Sequence, residues 1–241
     1  MGETPLILFP GLGADRRILA PQLAAFPQLI VPEWIKPDPC ESLPHYAQRF
    51  AHQIDPGCPC YVGGASFGGI IALEAARHLQ TRACFLIGCV RDPQELPLRI
   101  RALRKLKHWL PKFPFEFVAP LVGVTVRLTG DRMRPLPRRV MKIIADADAT
   151  YIHWACGAFL NWDPTQPPPT FPVYHIHGRR DGVLPARRTH PDALIPTGGH
   201  ILSLTRPNEV NHFLTEKMHA LEDPTESPAA LIEPNPQASH V

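Results

Sequence analysis

Three side chains in this sequence stand where nucleophilic chemistry could use them. Ser66 lies within Gly64-Ala65-Ser66-Phe67-Gly68, a G-x-S-x-G pattern that directly follows the apolar run Cys60-Tyr61-Val62. A strand that turns sharply into a helix places the central serine in a strained backbone conformation with its hydroxyl exposed. Side chains two positions away on either side would collide in that turn, so glycine is used there. The helix that follows adds partial positive charge and free N–H groups. The plain alternative is a Gly-rich turn with an incidental serine. Asp181 follows a second apolar run through Gly178-Arg179-Arg180, and His200 follows a third through Gly198-Gly199. Singly, an aspartate in a turn caps the next segment, and one histidine among 12 means little. Together they supply, in chain order, a nucleophile, an acid and a base at three strand ends, the order of a nucleophile-elbow site.

The elements that must position them follow from the hydrophobic pattern. Leu6–Phe9, Leu29–Val31, Cys60–Val62, Ala83–Cys89, Val173–His177 and Ala193–Ile195 are short apolar runs bounded by Gly, Pro or polar residues, and they predict strands. Helices are predicted over 17–25, 43–53 with Ser42 as cap, 70–79, and 207–221 with Pro207 in the first turn. Between about 91 and 165 only helical periodicity is found. Leu103, Leu106 and Leu110 share one face of a basic helix, and 140–147 and 150–161 predict further helices. Gln166-Pro167-Pro168-Pro169-Thr170 closes that segment as a stiff linker, and the polar, Pro-rich residues 222–241 predict a disordered tail. Strands alternating with helices predict an α/β fold, with a parallel sheet covered on both faces. Ligands of such sheets bind beyond the carboxyl ends of the strands, where Ser66, Asp181 and His200 fall.

Composition narrows the class. With 44% apolar and 20% charged residues, the 241-residue chain can bury one sizeable core, and wholesale disorder is excluded. No apolar run approaches the roughly 18 residues of a membrane span, so no integral membrane segment is expected. Neither a signal peptide nor an N-myristoylation motif is visible, because Leu6 stands where the latter needs Ser or Thr. The 30 prolines are scattered without a repeat, which excludes a collagen-like chain. Charge is uneven: residues 91–142 hold 13 Lys/Arg against 4 Asp/Glu, so a basic segment sits on an acidic body. A solvated helix face is the default reading of that segment. Steering of an anionic substrate, or contact with an anionic lipid surface, are the alternatives. Nucleic-acid-binding motifs are absent, and no nucleic acid partner is expected. Of the six cysteines, Cys58 and Cys60 form C-x-C without a second ligand pair, and Cys84 and Cys89 lie in an apolar run. A reducing, cytoplasmic compartment is the expectation. His175 and His177 face the same way on one strand, but no third ligand lies near them, so no metal site is expected.

Four pieces together resemble the α/β-hydrolase fold superfamily: Phe9-Pro10-Gly11-Leu12-Gly13, Gly64 to Gly69 around Ser66, His177 to Asp181 with Pro185, and Gly198-Gly199-His200. They span most of the chain. The resemblance implies a core made of 1–90 and 166–221, with 91–165 as a helical cap. The chain departs from the common pattern in two respects. It begins at the strand that feeds the oxyanion loop, so a reduced sheet of about six strands is expected, and Pro10-Gly11 replaces the usual His-Gly. The implied mechanism has His200 take the Ser66 proton while Ser66 attacks a carbonyl and Asp181 orients His200. Backbone N–H groups of Leu12 and Phe67 hold the oxyanion. No cofactor and no metal are implied. Trp154, Phe159 and Trp109 of the cap are the expected substrate-binding residues, facing a small to medium hydrophobic ester or other acyl compound. Carboxylesterase is the leading activity. Thioesterase, lactonase and a non-catalytic ligand-binding protein are the alternatives, and oligomeric state is not legible.

Overall fold

The computed structural model describes residues 4–105, 140, 142, 143 and 145–222. Six strands form one sheet in the order β2-β1-β3-β4-β5-β6, and every neighbouring pair is parallel. They are β1 (Leu6–Phe9), β2 (Leu29–Ile30), β3 (Cys60–Ala65), β4 (Thr81–Ile87), β5 (Val173–Gly178) and β6 (Ala193–Ile195). All four side chains of β1 are buried, as are five of the six residues of β3. A parallel strand covered on both faces has no polar side, which is why these read as unbroken apolar runs.

Helices among the described residues include α1 (Ala20–Ala25), α2 (Leu43–Ile54), α3 (Phe67–Ala75), α4 (Leu98–Lys105), α5 (Ala149–Asn161), α6 (Leu202–Thr205) and α7 (Pro207–Glu222). Ser42 caps α2 by accepting from His45 N–H at 3.4 Å, and Asp148 caps α5 by accepting from Tyr151 N–H at 2.7 Å. One core cluster packs α2, α3 and α5 on one sheet face. A second packs α1, α6 and α7 on the other. Helix α3 lies between the sheet and α2, and all nine of its residues are buried. That burial explains an Ala- and Ile-rich sequence with no polar stripe.

Several sequence expectations shift, and one short helix was not expected. The helix expected over 17–25 opens as a 3-10 turn, Arg16–Leu19, capped by Asp15, and becomes α-helical only at Ala20. The helix expected from Ile70 begins at Phe67, immediately beyond Ser66, and tightens to a 3-10 turn over Ala76–His78. Strand β4 ends at Ile87 because Gly88 takes φ +56. The four-residue α6 has too little length for a periodic signal. Of the tail expected over 222–241, Glu222 ends α7 and the rest lies outside the described residues, as do Leu106 and Leu110. Between β4 and β5 the described elements are helices, with a 3-10 turn over Pro93–Glu95.

The strand order reverses between β1 and β3: the chain leaves β1 towards β2 on one side and returns to β3 on the other. A crevice opens at such a switch point, beyond the strand ends. The loop after β1 and the turn after β3 flank it.

Candidate active site

Ser66 sits on that turn with φ 53 and ψ −123. A non-glycine residue rarely occupies this region, and the surrounding packing must hold it there. The glycines around it are required by close approach. A Cβ on Gly64 would stand 2.4 Å from the Gly68 carbonyl carbon, and one on Gly68 would stand 2.0 Å from Pro10 O. Helix α3 is therefore pressed against the strand that precedes it and against the end of β1. Ser66 N–H donates to Ile87 O at 3.0 Å, tying the turn to β4.

The three residues picked out by pattern converge. His200 Nε2 lies 2.9 Å from Ser66 Oγ, and His200 Nδ1 lies 2.7 Å from Asp181 Oδ2. Asp181 is 4% exposed, and its other oxygen accepts from Val183 N–H at 2.8 Å and Leu184 N–H at 2.9 Å. Burial alone would raise its pKa. The pull of His200 when it is protonated, with the N–H groups of His177 and His200, outweighs burial and holds the carboxyl well below the usual carboxylate range. An ionised Asp181 accepts only, so His200 Nδ1 carries the proton and Nε2 is left to accept from Ser66. The acid loop and the histidine loop meet at Gly178, where a Cβ would stand 2.2 Å from Gly199 O.

The loop after β1 runs past the serine: a Cβ on Gly11 would stand 3.7 Å from Ser66 Cβ. Ala14 N–H closes a turn onto Gly11 O at 3.0 Å, and Leu12 lies within that turn. Phe67 opens α3, where an N–H has no partner within the helix. Both backbone groups expected to face an oxyanion thus belong to segments that border Ser66. The aromatic layer behind them centres on Trp34, which no pattern in the sequence marks. Trp34 donates its indole N–H to Ala14 O at 2.8 Å. Its ring centroid lies 5.1 Å from Tyr151 and 6.2 Å from Phe67. A tryptophan in a proline-rich loop has no periodicity to reveal its partners, and its presence in a loop was the one available signal.

Of the expected substrate-binding residues, Trp154 donates to Glu41 O at 2.9 Å, and its ring lies 4.2 Å from Tyr46 and 5.9 Å from Tyr151. It docks α5 onto α2 and the loop before it. Phe159 is partly buried against the same core. Trp109 lies outside the described residues, as do Phe113, Phe115 and Phe117. Ile152 of α5 reaches the loop after β1, its Cδ1 lying 3.4 Å from where a Cβ on Gly13 would be. Three arginines of the basic segment are bound to the protein itself. Arg91 reaches His190 O, Val173 O and Asp192, Arg99 reaches Gly182 O and Val183 O, and Arg104 reaches Trp162 O and Asp163. Arg99 thus ties the helical segment to the loop that carries Asp181, Arg91 ties it to the start of β5 and the residues before β6, and Arg104 joins two parts of the segment itself.

All six cysteines are free, and burial pushes the Cys84 thiol up to about 12. Among the described residues no cluster of His, Cys, Asp and Glu is arranged to hold a metal ion. No helix among them is long and apolar enough to cross a membrane.

Solved structures share this architecture. An esterase from Thermogutta terrifontis superposes with a TM-score of 0.70 at 16% identity, covering 92% of this chain and 91% of that one. A bromoperoxidase from Bacillus anthracis gives 0.65 at 19% identity, over 90% and 92%. An α/β-hydrolase fold protein from Burkholderia ambifaria gives 0.61 at 18%, over 90% and 92%. The chain has the α/β-hydrolase fold. No protein-family model and no curated protein sequence matches it.

Proposed function

We propose that this protein is a serine hydrolase that cleaves carboxylic esters, with Ser66 as nucleophile, His200 as general base and Asp181 as the residue that orients His200. One observation carries this reading: an unbroken hydrogen-bonded chain from Asp181 through His200 to a serine held at positive φ at the head of a helix. The neighbours named as esterases add weight to ester substrates.

In the proposed reaction Ser66 Oγ attacks the ester carbonyl carbon as its proton passes to His200 Nε2. The carbonyl oxygen becomes an oxyanion, held by the Leu12 and Phe67 N–H groups. His200 then gives its proton to the departing alcohol oxygen, and the ester C–O bond breaks. Water, deprotonated by His200, releases the acid from Ser66 and restores the hydroxyl. No cofactor takes part. The helical segment 91–165 acts as the cap. Its helix α5 covers the oxyanion side, and Leu12, Phe67, Trp34, Tyr151 and Ile152 form an apolar wall for a small to medium hydrophobic acyl group. Trp154 and Phe159 support that wall from behind, and Trp109 belongs to the part of the cap nearest α4 in sequence. Six free thiols fit a reducing compartment such as the cytoplasm.

The test is turnover of p-nitrophenyl esters of increasing acyl length by the protein and its Ser66→Ala variant. Ester hydrolysis that disappears in the variant is expected, with a rate maximum at short to medium chains. A variant that keeps more than a few per cent of the activity would overturn the mechanism. Wild-type turnover confined to thioesters or lactones would reassign the substrate and keep the triad.

A further inference from the structure

Behind Asp181 lies a pair of buried histidines that the triad does not use. His177 and His175 project from the same face of β5, and both are 0% exposed. His177 Nε2 lies 2.7 Å from Leu184 O and 3.1 Å from Asp181 Oδ2. His177 Nδ1 lies 2.9 Å from His175 Nε2. His175 Nδ1 has no hydrogen-bond partner among the described residues.

Hydrogen-bond logic fixes the protons along this row. Leu184 O and the ionised Asp181 both accept only, so His177 Nε2 carries a proton. One proton then lies between His177 Nδ1 and His175 Nε2. On His177 it would create a buried imidazolium and leave His175 with an N–H that has nothing to bind. On His175 Nε2 it leaves both rings neutral. Burial first, and the nearby His177 second, push the His175 pKa down to about 3, which agrees with a neutral ring.

Leu184 is the hinge of the effect. Its N–H donates to Asp181 Oδ1 while its C=O is held by His177. His177 thereby locks the loop that wraps the carboxylate and sets an N–H beside Oδ2, the oxygen that faces His200. We propose that His177 and His175 are positioning residues of the triad: a neutral two-histidine relay, with His175 fixing the His177 tautomer and His177 fixing Asp181. This rests on the hydrolase reading above.

The experiment compares His177→Leu, His177→Gln and His175→Phe with wild type, by kcat and KM on a p-nitrophenyl ester and by proton and nitrogen NMR of histidine-labelled protein. A misaligned catalytic group costs roughly 10- to 100-fold. His177→Leu is expected to lower kcat by about that factor with KM little changed, and to weaken the low-field resonance of the His200 Nδ1 proton. A glutamine can return a donor near the Nε2 position, so His177→Gln is expected to recover most of kcat. His175→Phe is expected to have a smaller effect in the same sense. Wild-type spectra should show neutral His177 and His175, each protonated at Nε2. An imidazolium at His177, a His177→Leu enzyme with unchanged kcat and resonance, or a glutamine variant as impaired as the leucine one would each overturn the relay. If His177→Leu fails to fold, the tautomers and the other two variants still decide. The NMR readouts need no turnover, so a wild type that hydrolyses nothing would sink the hydrolase reading while the relay stood or fell on its own spectra.

Discussion

The two sides of Ser66 are built from different forces. On one side stand His200, Asp181 and the loop to Leu184, where every contact that matters is a directional hydrogen bond of 2.7 to 2.9 Å. On the other stand Leu12, Phe67, Trp34, Tyr151 and Ile152, joined chiefly by ring packing at centroid distances of 5.1 and 6.2 Å among the aromatics, with one indole hydrogen bond to the loop after β1. Hydrogen bonds to a charged, buried group lose most of their value with a small displacement, whereas apolar packing re-forms around a changed shape. Under the proposed mechanism the polar side sets whether the reaction runs, and the apolar side sets what fits.

The largest effect that would sharpen this contrast belongs to Asp181→Asn. The amide keeps the shape but can favour the wrong His200 tautomer, and kcat should fall by about 10⁴-fold while the fold persists. A loss below tenfold would mean that the carboxylate does not govern the site. Gly178→Ala comes next. Its new Cβ meets Gly199 O, so the acid and histidine loops must part, and a drop of about 100-fold in kcat is expected from kinetics on one short-chain ester.

A third prediction concerns acid stability. His175 faces His177, Arg91 and Asp181, and its pKa falls from 6.5 in the unfolded chain to about 3 when folded. Above the higher value it is neutral in both states and contributes no pH dependence. As the pH drops between the two values only the unfolded chain gains the proton, so this residue removes about 1.4 kcal/mol of stability per pH unit. Melting curves should fall less steeply below about pH 6 in His175→Phe than in the parent protein. Equal slopes would contradict a neutral buried His175. The smallest effect is expected on the apolar side. Trp34→Phe should change kcat/KM by roughly threefold or less on short esters, with a changed preference among acyl lengths. A uniform collapse across all lengths would show that Trp34 holds the oxyanion loop and not merely the pocket.

The same contrast explains what was legible in the sequence. Strand β1 was readable to the residue, because Leu6–Phe9 is an apolar run cut by Pro10-Gly11, and both features are local. Ser66, Asp181 and His200 were readable because strand ends are local signals and their chain order is informative. Partners that meet across the fold were not. His175 and His177 read as a same-face pair lacking a third metal ligand, yet the groups that His177 meets, Leu184 and Asp181, lie on the next loop. Trp34 and Tyr151 stand 117 positions apart and meet only through the docking of α5. Three arginines of the basic segment, Arg91, Arg99 and Arg104, bind carbonyls whose positions no periodicity could supply.

The central claim is that Ser66 is a nucleophile activated by His200, and covalent trapping tests it most directly. The protein would be incubated with a fluorophosphonate, and the adduct located by mass spectrometry of the intact chain and its peptides. One phosphonyl group per chain, on Ser66, absent from Ser66→Ala and formed far more slowly in His200→Ala, is the predicted result. An adduct elsewhere, or none on a folded wild-type protein, would contradict the account.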